Sequence, residues 1–154
     1  AITVMYENED EIHMKLYKSA MVKKESKLNI KNINTTNIFT LVDLAISTSK
    51  IKNDISFTKN YDPSIPEFKL DASSFIKTLN QIFEVFKDKD SVSCSILLKI
   101  GEYIKIDNKK YSLISVEIAA NEKSDFSSLN VKETNSFILT SDDTKITIDL
   151  PLIL

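Results

Sequence analysis

Arginine is absent from this chain: all 20 basic residues are lysine. Arginine supplies the planar, bidentate contacts that read guanine edges and clamp phosphates, whereas lysine acts only as a point charge. The formal net charge is −2, so the chain exerts no general pull on a polyanion. Sequence-specific DNA or RNA readout is therefore not expected. Glycine occurs once, at Gly101, which excludes a glycine-rich phosphate loop and a dinucleotide fingerprint. A single cysteine, Cys94, excludes an intrachain disulfide, and with one histidine, His13, it leaves no zinc cluster. No run of about 18 apolar residues exists, so no membrane-spanning helix is expected. The chain opens on Ala1 rather than Met, as a processed chain or a piece of a longer one would.

What is present is ordinary for a globular protein. Hydrophobic residues make up 42% of the 154 positions and charged residues 27%, enough for one domain with a sizeable core. Ile, Lys, Asn and Ser together account for 71 positions, a bias that AT-rich coding produces. The source expected from it is a low-GC bacterium, a phage, a large DNA virus or an AT-rich protist.

The clearest element is "DASSFIKTLNQIFEVF", residues 71–86. Phe75, Ile76, Leu79, Ile82, Phe83 and Phe86 recur at helical spacing and form one apolar stripe, which predicts a helix over about 72–87. Lys77, Asn80, Gln81, Glu84 and Lys87 occupy the opposite face, which suits water. An earlier helix is expected from Ile38, Leu41, Val42, Ala45 and Ile46, with Thr35 or Thr36 as its cap. Strands are expected at 2–6 and 12–18 as a hairpin, and at 27–33, 50–58, 91–100, 102–107 and 110–120. A last hairpin is expected over "SFILTS" and "KITIDLPLIL". Gly101 and "DNKK" read as turns. Pro151 places the end of the last strand, and the apolar ending "LPLIL" should be packed. The proline-bearing stretch 60–68 is the best internal linker. The predicted architecture is α+β, a mostly antiparallel sheet carrying two amphipathic helices. Residues 1–154 form one domain, with 60–68 as the boundary if two half-units exist.

No group of residues advertises chemistry. Cys94 alternates with Val92 and Ile96 and reads as a small core residue, which removes the one obvious nucleophile; a metal-free hydrolase would have to be built on it or on the scattered carboxylates. Glu7, Glu9, Asp10 and Glu11, like Asp142 and Asp143, read as solvated turns. No catalytic, cofactor-binding or metal-ligating residue is expected. The one candidate surface is basic: Lys15, Lys18, Lys23, Lys24, Lys27 and Lys31. The function expected is a non-enzymatic protein–protein interaction or structural module of a larger assembly, viral or phage in origin and needing no cofactor. Its partner would be another protein or a second copy of the chain, in the cytoplasm of the cell or host. The alternative is a DNA-handling module without sequence readout, whose order of elements is similar to that of sliding clamps.

Overall fold

The computed structural model describes residues 22–25, 28, 32–49, 55–127, 129 and 137–154. In chain order these form β1 (Val22–Glu25), β2 (Asn34–Thr36), α1 (Ile38–Thr48), β3 (Ser56–Tyr61), β4 (Phe68–Leu70), α2 (Ala72–Val85), β5 (Ser91–Ile106), β6 (Lys109–Ala120), β7 (Ile138–Ser141) and β8 (Lys145–Pro151). The architecture is α+β: a mixed, mostly antiparallel sheet with both helices on it. The hairpin expected over 2–18 lies outside the described residues, as do His13 and the acidic run at 7–11.

The main sheet has the order β1-β5-β6-β8-β7, with β3 also paired to β5. β6, β8 and β7 follow one another antiparallel, whereas β1 and β3 run parallel to β5. Strand alternation then sorts the side chains by face. Across three strands the register sets Cys94 beside Ile118 and Ile146, and Ile96 beside Val116 and Ile148. These residues are buried in one core with Phe75, Leu79, Ile82 and Phe83 of α2 and with Ile38, Leu41, Val42 and Ala45 of α1. Ile65 and Phe68, within the proline-bearing stretch, are buried in that core too. The opposite face carries Ser115, Glu117, Thr147 and Asp149.

Gly101 does not separate two strands, as its position in the sequence suggested. β5 runs through it with a φ of 83° and a register shift between Lys99 and Tyr103. Only glycine takes that conformation without strain, and the added residues reverse which side chains face the helices. Ile104 and Ile106 consequently leave the helix-facing core and bury with Leu113 in a second cluster. The reversal of direction comes at Asp107 and Asn108, both with positive φ, so Lys109 and Lys110 are already strand.

Both helix starts are set by side-chain caps. Thr35 and Thr36 belong to β2, which pairs with β4, and the cap of α1 is Asn37 instead, accepting from the N–H groups of Phe39 and Thr40. For α2 the cap is Asp71, which accepts from Ser74 N at 3.1 Å and from the Ser74 hydroxyl at 3.0 Å. Asp71→Ala is expected to cost about 1 kcal/mol in chemical denaturation, since an orphan N–H loses its partner. An unchanged denaturation midpoint would contradict the capping role. At the chain end, Leu150 and Ile153 are buried, and Lys69 N donates to Ile153 O at 2.7 Å, so the apolar ending is packed as far as Ile153, while Leu154 is 77% exposed.

Candidate functional site

The stripe of α2 fills the core, which leaves its polar back to be accounted for. That face does not simply meet water. Residues 121–127 come back against the end of the helix, where Phe126 packs edge-on against Phe86 with ring centroids 5.6 Å apart. Lys89 Nζ adds a hydrogen bond to Lys123 O at 2.9 Å, and Ser124 N donates to Asp143 O at 2.7 Å. Between α2 and this connection lies a groove of about 880 Å³. Lys77, Asn80, Gln81, Glu84, Lys87, Asp88 and Lys89 line one wall, Ser124 and Asp125 the other, with Val85 and Leu129 as the apolar contributions.

Two atoms in this groove are incompletely satisfied. Asn80 Oδ1 and Ser124 Oγ are sealed from solvent and have no hydrogen-bond partner. A buried polar atom without a partner costs free energy, and native proteins keep few of them. Several of the charged groups are already engaged. Lys87 Nζ donates to Glu84 Oε1 at 2.8 Å, and that hydrogen bond raises the lysine above its ordinary pKa. The hydroxyl and N–H of Ser127 hold the Asp125 carboxyl below the usual range. Lys77 has no ion pair among the described residues.

A second, smaller cavity of about 350 Å³ sits on the opposite sheet face. Its two buried members are Ser115 and Asp149, 1% and 3% exposed, and the Ser115 hydroxyl donates to Asp149 at 2.7 Å. Glu117 stands 3.6 Å from Lys145 and 3.8 Å from Lys99. Asp142 is a turn former as expected, accepting from the N–H groups of Thr144 and Lys145.

Cys94 lies in the core, and burial pushes its thiol up to about 12. The thiolate is the reactive form, so the folded protein should leave Cys94 unmodified by a disulfide reagent near neutral pH, while the denatured chain reacts at once. Rapid labelling of the native chain would contradict this burial. Of the candidate basic surface, Lys23 and Lys24 fall in β1 at the end of the sheet, and Lys15, Lys18, Lys27 and Lys31 lie outside the described residues. Among the described residues no group of three His, Cys, Asp or Glu could hold a metal ion, and no helix is long and apolar enough to cross a membrane.

No protein family and no curated protein matches the chain by sequence. Solved structures do. The chain is similar to the Acinetobacter baumannii histidine kinase AdeS, with a TM-score of 0.53 and 7% identity, over 94% of this chain and 81% of that one. It also matches the catalytic domain of histidine kinase ThkA in a nucleotide-free form, with a TM-score of 0.46 and 11% identity, over 79% of this chain and 96% of that one. A third match is the Erythrobacter litoralis blue-light activated histidine kinase EL346, with a TM-score of 0.38 and 11% identity, over 94% of this chain and 55% of that one. The shared fold rests on AdeS.

This likeness corrects the functional expectation drawn from the sequence. A non-enzymatic interaction or structural module was expected, without cofactor and viral or phage in origin; the structure whose fold the chain shares is a bacterial kinase, an enzyme. The expectation that the chain is not an enzyme is corrected with it. So is the clamp-like alternative, since both helices here share one core against one six-stranded sheet. The physical reason for the misreading is plain. Neither a glycine loop nor a Cys/His cluster marks this groove, which is walled by a helix face whose residue types also suit plain solvent.

Proposed function

We propose that this chain is a catalytic domain of histidine-kinase type, and that the groove between α2 and the segment bearing Ser124, Asp125 and Leu129 is its nucleotide site. The observation that carries the proposal is the pair of sealed, partnerless atoms, Asn80 Oδ1 and Ser124 Oγ, on opposite walls of one groove. A ligand that separates the walls slightly would supply the missing partners. Val85 and Leu129 offer apolar contact to a base, and the lysines offer charge to phosphates. The residues present therefore fit a nucleotide, although no glycine loop cradles it.

A nucleoside triphosphate would supply the phosphoryl group, and the chain's own residues would bind and orient it. Phosphoryl transfer asks a protein mainly for positioning and for charge stabilisation. Lys77 is placed to supply charge because no ion pair engages it among the described residues, and the acceptor would stand on a protein partner. Titration of a fluorescent ATP analogue into the purified chain tests this reading. Saturable binding is expected, together with thermal stabilisation that grows with ligand concentration and reaches about 2.7 kcal/mol at a hundredfold excess over Kd. No saturation up to millimolar nucleotide would contradict it.

A further inference from the structure

We infer that the smaller cavity, on the sheet face away from the helices, binds a small hydrophilic primary amine whose ammonium group pairs with the buried Asp149 carboxylate. The cavity is lined by two lysines, Lys99 and Lys145, against three carboxylates, Glu117, Asp142 and Asp149, which leaves one negative charge in excess. That excess falls on Asp149. Both lysines stand near Glu117, at 3.8 Å and 3.6 Å, and Asp142 lies in the field of Lys145. Asp149 is 3% exposed and has no ion pair among the described residues. Its one side-chain hydrogen bond there comes from the Ser115 hydroxyl to Oδ1, and Oδ2 has none. A buried carboxylate is costly to keep unless a cation compensates it, so the missing partner is a cation that enters from the cavity. Among the described residues no group of His, Cys, Asp or Glu could hold a metal ion here. A guanidinium fork asks for both oxygens of one carboxylate, and Oδ1 is already taken. An ammonium group needs only Oδ2, and the hydroxyls of Thr140, Ser141 and Thr147 in the same cavity can accept from its other N–H groups. No apolar side chain lines the cavity among the described residues, and its volume is about 350 Å³, so the carrier of that ammonium is short and polar.

The test is titration of the whole ¹⁵N-labelled chain with ethanolammonium chloride, followed by amide NMR, with choline chloride and sodium chloride at equal ionic strength alongside. Choline is the same amino alcohol with its N–H groups replaced by methyls, so it carries the charge but donates nothing. Saturable shifts at Ser115, Glu117, Thr147 and Asp149 are expected with ethanolammonium and not with the other two salts. The Asp149→Asn variant, whose amide oxygen can still accept from Ser115, should bind about tenfold more weakly. Equal shifts from choline or sodium would overturn the ammonium assignment. An affinity unchanged by Asp149→Asn would overturn the role of Asp149. No saturation with amine on the order of 10 mM would overturn the site itself. Should Asp149→Asn fail to fold, the comparison of the three salts on the unmodified chain decides alone.

Discussion

Phe83→Ala should lower the melting temperature by about 10 °C. Phe83 is fully buried on the apolar stripe of α2, and its ring meets Phe57 of β3 edge-on at a centroid distance of 6.1 Å. Truncating such a side chain removes its transfer free energy and leaves a cavity that the sheet and two helices cannot fully collapse, a loss of about 3–5 kcal/mol. At roughly 2–4 °C per kcal/mol for a domain of this size, the shift follows. The contrast lies nearly two turns away on the same helix. Lys77→Ala, on the groove face, should change stability by no more than about 0.5 kcal/mol. A Phe83→Ala protein that melts like the parent would contradict the assignment of that stripe to the core.

The second large effect is expected on the other face of the sheet. Ser115 and Asp149 are paired across β6 and β8, and both are buried. Ser115→Ala leaves the Asp149 carboxylate in place without its 2.7 Å hydroxyl partner, which should cost about 1–3 kcal/mol. Replacing both together, Ser115→Ala with Asp149→Leu, removes the unsatisfied group as well and should recover most of that loss. Chemical denaturation of the three proteins gives the answer. A double variant less stable than Ser115→Ala alone would mean that Asp149 makes a stabilising contribution beyond this hydrogen bond.

The helices were legible because their apolar periodicity is strong. Six residues of one stripe and five of the other predicted which faces are buried. Hairpins with short polar turns were legible for the same reason: two-residue alternation holds over β6 and β8. The bulge at Gly101 was not, since glycine marks a turn and a bulge alike, and only pairing with β6 decides between them. The parallel pairings of β1 and β3 with β5 depend on long-range contacts that no local pattern encodes. The groove was hidden for a related reason. Asn80, Gln81 and Glu84 are the residues a solvent-facing helix would carry, and what makes them a wall is Phe126, a lone aromatic in an otherwise polar connection, which docks on Phe86. The single aromatic residue amid "NEKSDFSSLN" was the one signal that could have shown that this stretch packs back onto the helix.

The most direct measurement is a two-dimensional amide NMR spectrum of the ¹⁵N-labelled chain as ATP is added. The account predicts saturable shifts concentrated at Asn80, Gln81, Glu84 and Lys89 on α2 and its end, and at Ser124 and Asp125 across the groove. Shifts centred instead on Ser115, Glu117 and Asp149, or no shifts at millimolar ATP, would contradict it.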